Sequence, residues 1–377
     1  MSADAPPIGS TDELRLAAVR TTPPPVPAPL WSGGIETRGL LKAALPAHRA
    51  LAACAQALRR TPLDIAALDA FTLLDAVGAV QLEGEPMDPR AVLETPPHQL
   101  EPVVARQREA LARAALDERP VDAALALELA SVVAGRAVSL RRHGLVAGAR
   151  PGFPDAPTAS ARPPPSSPVV PLPHEPERLQ GRLERWEGFV QRDSGDLDPL
   201  LMCGVALAEW LAIRPFTTAN VRVGQLLVQL LLVEEDLLPS ATLPLSLHLS
   251  RHADTCWSAL SEAGARADPE PWLRFFLGAV ESSANDTLGR LEGWEDELAA
   301  LPARLGRLLP KVPSEDFVRL CARAGFGLAD VIETGLSRRQ TAAAWVARLV
   351  EGGVLRELRA GKEKRLVNDA VVALLID

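Results

Sequence analysis

The chain has little of what redox, metal or disulfide chemistry is usually built from. Four cysteines, Cys54, Cys203, Cys256 and Cys321, are scattered over 377 residues. None of their spacings suggests a disulfide framework or a zinc site, so reduced, buried thiols are expected. Only His248 and His252, among six histidines, stand one helical turn apart; they read as a polar helix edge, and no metal site is expected. No uninterrupted apolar run approaches the roughly 20 residues that span a bilayer, and the first residues lack a basic stretch followed by an apolar one. These lacks lead to the expectation of a cytoplasmic protein without membrane contact. Positive charge is not in excess either, with 40 Lys+Arg against 48 Asp+Glu, which speaks against a chain that is basic throughout.

Apolar residues make up 47% of the chain, enough for ordinary cores, and the length suits two or three domains. Proline marks the divisions: residues 1–30 hold seven and residues 151–176 hold ten. Neither stretch has usable periodicity, so 1–35 reads as a disordered Pro-rich N-terminus and 151–176 as a Pro-rich linker. Residues 36–150 alternate Ala/Leu-rich helical patterns with proline breaks, and 177–310 hold four or five helices; strand signals are scarce. The fold class expected is mostly all-α. Trp186, Trp210, Trp257 and Trp272 are expected to be core anchors.

The most informative stretch runs from Arg214 to Gly224. Pro215, with fixed φ and no N–H, should end the helical pattern of Leu201 to Ile213. Asn220 is a plausible N-cap for the next helical segment. From Val221 to Val233 the sequence is apolar on nearly every face, the pattern of a helix buried on all sides. Its N-terminus with Arg222 nearby is a candidate anion site, against the plainer reading of a polar loop capping a core helix.

These residues resemble the signature of the Fic (Fido) family, His-Pro-Phe-x-Asp/Glu-Gly-Asn-Gly-Arg-x-x-Arg, whose members mostly transfer AMP from ATP to a protein hydroxyl. Pro215, Phe216, Asn220 and Arg222 match. Arg214 stands at the family's catalytic His, Thr218 at the metal-binding acid, Ala219 and Val221 at the two glycines, and Gln225 at the last Arg. The helices around Leu243 to Arg251 and Glu270 to Leu277 are similar to those that come after the motif. Leu73 to Glu85 is similar to the family's inhibitory helix, with Glu83 and Gly84 matching and Ala79 at the Ser/Thr position. The Pro151 to Pro176 stretch falls where the family carries a β-hairpin flap, and no strand alternation is evident in it.

The resemblance implies a nucleotide site at Asn220 and Arg222, a regulatory Glu83, and ATP as the ligand to consider. The substitutions argue against the family's chemistry. A general base needs an acceptor lone pair, which the protonated guanidinium of Arg214 lacks. Thr218 offers Mg²⁺ only a neutral hydroxyl, and Ala219 and Val221 are expected to hinder close backbone approach to phosphate. Glu83 would meet neutral Gln225, with Arg222 or Arg214 as substitute partners. A degenerate, non-catalytic Fic-type regulator is therefore expected; the competing expectation is an AMP transferase with an altered active site.

Residues 311–377 read as three short helices and then strands Val354 to Leu358 and Lys364 to Val367, the layout of a winged helix-turn-helix. Arg338 and Arg339 would open the third helix, with Ser337 as its cap, and Lys362 and Lys364 would sit on the wing; these are the candidate DNA-binding residues. The segment carries 11 Lys+Arg and 9 Asp+Glu, a net of +2, leaving 29 − 39 = −10 for the rest. That modest charge keeps DNA, a protein partner and a second copy of the chain all in view.

Overall fold

The computed structural model describes residues 34–117, 119–142, 145–147, 170–172, 176–191, 197–266, 268–309, 314–333, 339–360 and 363–376. As the sequence suggests, the protein is mostly helical. The first helices are α1 (Arg38–Arg60), α2 (Ile65–Leu82), α3 (Pro89–Glu94), α4 (Pro102–Ala114) and α5 (Ala123–Ala134). Capping chemistry explains the starts: Thr37, Asp64, Asp88 and Asp122 each accept a first-turn amide, and proline opens α3 and α4 where its missing N–H costs nothing.

Strands β1 (Leu145–Ala147) and β2 (Val170–Leu172) then pair antiparallel, Leu145 opposite Leu172. This corrects the reading of 151–176 as linker throughout, since strand structure begins before its end. Strands of three residues are too short to display alternation. Residues 1–33 and the bulk of 151–176 lie outside the described residues.

Helices α6 (Pro176–Val190), α7 (Pro199–Ile213), α8 (Asn220–Glu234), α9 (Leu245–Arg251), α10 (Ala253–Arg266) and α11 (Glu270–Leu308) come next. Helix α8 is at the centre: Asn220 through Leu232 are all buried, and α2, α4, α5 and α7 pack around it. Helices α2 and α9 touch backbone to backbone at Gly78, where a built Cβ would lie 2.1 Å from Leu247 N. Helix α2 has the length and hydropathy of a membrane span, yet it runs through this interior with Asp75 buried on it.

Helix α11 ties the molecule together. At 39 residues it is about 58 Å long. Its first half supplies Trp272 and Phe276 to the main core; its last turns supply Leu301 and Leu305 to a second core. That second core is closed by α12 (Glu315–Cys321), β3 (Gly325–Gly327), α13 (Leu328–Glu333), α14 (Arg339–Glu351), β4 (Arg356–Ala360) and β5 (Glu363–Val367), with a three-stranded sheet in the order β3-β5-β4. Strand β3 and the terminal helix α15 (Asp369–Ile376) are not apparent from the sequence. Strand β4 begins two residues later than expected because Gly352 and Gly353 lead into a bend in which Val354 and Leu355 turn inward. The Thr334 to Leu336 turn, Ser337, Arg338 and Lys362 lie outside the described residues.

Candidate functional site

The loop between α7 and α8 is held from several sides. Helix α7 ends at Arg214, whose φ of 44° and ψ of 69° are left-handed, and Ala219 precedes α8 with φ 63°. That region costs a residue with a Cβ about 1–2 kcal/mol, so both must be over-determined by their surroundings. Asn220 is not the N-cap. It is the first helical residue, and its side chain turns back: Phe216 N donates to Asn220 Oδ1 at 2.9 Å while Asn220 Nδ2 donates to Phe216 O at 2.8 Å. This closes the loop into a ring. Trp210 Nε1 donates to Asn220 O at 2.8 Å, and its ring meets Phe216 edge-on at 5.8 Å. Val221 is helical, so the residue with the demanding φ is Ala219, and the expected obstacle at 221 is one of side-chain bulk only.

Glu83 stands at the start of α8. It caps the end of α2, and Gly84 at φ 91° turns the chain away immediately behind it. Its carboxylate accepts from Arg222 Nε at 2.5 Å and from Arg222 N at 3.3 Å, with both residues buried. Arg222 Nη1 also donates to Val133 O at 3.5 Å, and Gln107 Nε2 donates to Arg222 O at 3.0 Å. Burial pushes the Glu83 carboxyl above its ordinary range, and the Arg222 charge and hydrogen bonds work against that push. A carboxylate on a first-turn amide of a helix, next to a guanidinium, occupies the position an anionic ligand would take. Gln225 is engaged elsewhere, accepting from Ser246 Oγ at 3.2 Å. Beside the pair opens a cleft of about 370 Å³ whose lining includes Glu85, Glu101, Arg106, Arg136, Thr218 and Arg222.

Arg214 opens the loop, and residues 140 and 141 run alongside it. Leu140 forms an antiparallel bridge with Phe216, Arg141 N donates to Pro215 O at 2.9 Å, and Arg141 Nε donates to Arg214 O at 2.9 Å. Arg214 Nε donates to Leu211 O at 3.2 Å. Burial lowers the Arg214 guanidinium to about 10, with Arg141 adding repulsion, so it is still protonated at neutral pH.

The residues present do not fit a Mg²⁺-nucleotide of the kind the motif implies. Position 214 carries donors only, position 218 a neutral hydroxyl, and the Arg222 Nε that would meet phosphate is spent on Glu83. Among the described residues no group of three or more His, Cys, Asp or Glu side chains could hold a metal ion; His248 and His252 stack at 4.4 Å.

The expected DNA-facing residues fall differently. Arg339 is the first residue of α14, while Arg338 and Lys362 lie outside the described residues. Lys364 pairs with Glu357 at 2.9 Å; Arg356 pairs with Glu94 at 2.6 Å and Asp369 at 2.8 Å; Arg365 is buried.

No family model matches the chain. Among solved structures it is similar to a Fic family protein from Desulfovibrio desulfuricans, with 15% identity and a TM-score of 0.57 over 90% of this chain and 98% of that one. It also aligns with Fic-1 from C. elegans at 17% identity and a TM-score of 0.44, over 67% and 72% of the two chains. The first likeness establishes the fold: an all-α, Fic-type architecture.

Proposed function

We propose that this Fic-fold protein is a regulator that does not transfer nucleotides. The observation that carries the reading is Arg214. At the position where the transfer reaction needs a proton acceptor, the loop holds a protonated guanidinium whose Nε is committed to a backbone carbonyl. Glu83 adds to it by standing at the helix start where phosphate charge would otherwise be stabilised. The test is incubation with α-labelled ATP and Mg²⁺ or Mn²⁺, with and without lysate proteins. No label should enter the wild-type chain or any target, and Arg214→His alone should not restore transfer, because Thr218 and the Glu83–Arg222 pair remain. Robust AMP incorporation by the wild type would instead support an altered transferase that uses Arg214 to stabilise phosphate charge.

The C-terminal module, in the layout of a winged helix, we read as a protein-contact element. What supports this is the fate of several of its described cations: Arg356 and Lys364 are neutralised by acids and Arg365 is interior, while Arg359 is exposed, and the described exposed positions of α14 after its first residue include Gln340, Thr341, Ala343, Ala344, Ala347 and Arg348. Duplex binding draws chiefly on Lys and Arg that reach phosphates. Selection from genomic fragments should therefore recover no sequence tighter than non-specific binding; a selected sequence with a steep salt dependence would make the module a DNA reader, with Arg338, Arg339 and Lys362 the first residues to test.

A further inference from the structure

From Arg38 to Arg60, helix α1 holds no acid at all, in a chain whose Asp and Glu outnumber its Lys and Arg by 48 to 40. Arg38, Lys42, Arg49, Arg59 and Arg60 are its cations, and every one of them is exposed. With 3.6 residues per turn, Arg38, Lys42, Arg49 and Arg60 fall within about 40° of one another around the axis, in a row of about 33 Å. Leu41 and Leu45, one turn apart beside that row, are 39% and 53% exposed. The inward stripe of the same helix, with Leu40, Ala44, Ala47, Leu51 and Leu58, is buried, and α11 packs against α1.

Local structure does not account for the row. Arg59 and Arg60 complement the helix dipole at the last turn, but Arg38 is the first helical residue and Lys42 follows one turn later, at the end where positive charge is disfavoured. None of the five side chains makes an ion pair or hydrogen bond among the described residues. The acids that border the helix are engaged elsewhere. Glu36 Oε1 accepts from Asp198 N at 2.6 Å, Asp198 Oδ2 meets His48 Nε2 at 2.8 Å, and Asp64 pairs with Arg323 at 2.5 Å. Glu270 pairs at 2.6 Å with Arg274, whose guanidinium lies 2.9 Å from where a Cβ would stand at Gly39.

Unanswered cations with two protruding leucines complement one chemistry better than others. A lipid surface takes up a broad exposed apolar face, and on α1 that face is spent on the core. A nucleic-acid backbone offers phosphates but nothing to cover Leu41 and Leu45. An acidic amphipathic helix offers both, with carboxylates every three or four residues and apolar side chains beside them. We infer that the outer face of α1 docks an acidic amphipathic helical segment of a partner protein. The contact uses no residue of the α7–α8 loop and requires no nucleotide, so it goes beyond the proposed function.

The test is fluorescence anisotropy of a labelled peptide titrated with the full chain. The peptide carries Glu at helical spacing with Leu beside it, and a scrambled peptide of the same composition serves as control. The ordered peptide should bind, and the scrambled one should bind more weakly. Arg38→Gln, Lys42→Gln and Arg49→Gln combined should weaken the ordered peptide about tenfold, the scale of three exposed charge pairs. Arg113→Gln, Arg266→Gln and Arg307→Gln combined remove the same charge from exposed positions elsewhere and should leave binding unchanged. Leu41→Gln with Leu45→Gln should also weaken the peptide, and that loss should persist in high salt, where the ionic part is screened. Since every exchanged side chain is exposed, all variants should keep the wild-type unfolding temperature, which separates lost docking from lost folding. Absence of binding by the wild type, or equal weakening by the two charge variants, overturns the docking surface. Displacement of the peptide by duplex DNA or by phosphatidylserine vesicles at lower concentration than by unlabelled peptide overturns the protein partner.

Discussion

Asp75 should make this fold lose stability as pH rises from about 4 to about 7, and Asp75→Asn should remove the loss. The carboxyl is 2% exposed on α2, facing α9, where it accepts from Ser246 N at 2.7 Å and contacts Gln229. No guanidinium or ammonium is among the groups acting on it, and burial raises it from 3.8 to about 7 against the hydrogen bonds that lower it. The folded state therefore holds a proton that the unfolded chain releases near pH 4. Between about pH 4 and 7 the folded state binds more protons than the unfolded one, so stability falls as pH rises across that window. At 1.36 kcal/mol per pH unit, a window of about three corresponds to roughly 4 kcal/mol as an upper bound. An amide at 75 keeps an oxygen for Ser246 N and carries a donor that suits Gln229 Oε1, a buried acceptor with no partner among the described residues. Urea denaturation of wild type and Asp75→Asn at matched pH from 4 to 8 should give curves that nearly meet at pH 4 and separate by about 2–4 kcal/mol in favour of the variant at pH 8. Parallel pH profiles, or a variant weaker at pH 8, would refute the reasoning and show that Asp75 is ionised in a site built to hold its charge.

Removing one partner of the Glu83–Arg222 pair, by Glu83→Gln or Arg222→Gln, should cost about 3–5 kcal/mol, because a buried charge is left alone. Replacing both together should cost less than the sum of the singles, and additivity in a double-mutant cycle of unfolding energies would show that the pair is not coupled. Gly78→Ala should destabilise by about 1–3 kcal/mol or more, since its Cβ would enter the backbone at Ser246 and Leu247; an unchanged unfolding temperature would contradict the backbone contact of α2 and α9. Arg356→Gln, at a partly exposed site between α3 and α15, should cost no more than about 1 kcal/mol and the loss should shrink in high salt, measured by the same denaturation assay.

The parts of the site legible in the sequence are those written in local pattern. Proline at 215 and the all-round apolar run after it place the loop and the buried α8. Asn220 departs from its expected capping role because a capping residue and a loop-closing one share the same side-chain chemistry; only the left-handed turn at Ala219 decides between them. Glu83 has Arg222 and Arg214 as candidate partners by sequence, and the choice of Arg222 depends on how α2 meets α8 across 139 positions. Arg141 gives no signal at all: its contact with Arg214 spans 73 positions, and a short extended segment has no periodicity to read.

The length of α11 has a consequence for where the chain can be divided. Composition suggests a border near residue 310, but the helix approaching it belongs to both cores. Trp294 is wholly buried, contributing to the main core while donating to Ala322 O beyond the border at 2.5 Å. Leu301, Leu305 and Leu309 are covered by the C-terminal elements. A fragment ending at 310 would present that leucine row to water on the end of a bare rod, and a fragment beginning there would lack one wall of its interior. The two halves are better regarded as one cooperative unit with a common beam, in which amide exchange along the last turns of α11 should report the anchoring of the C-terminal module as directly as exchange within the module itself.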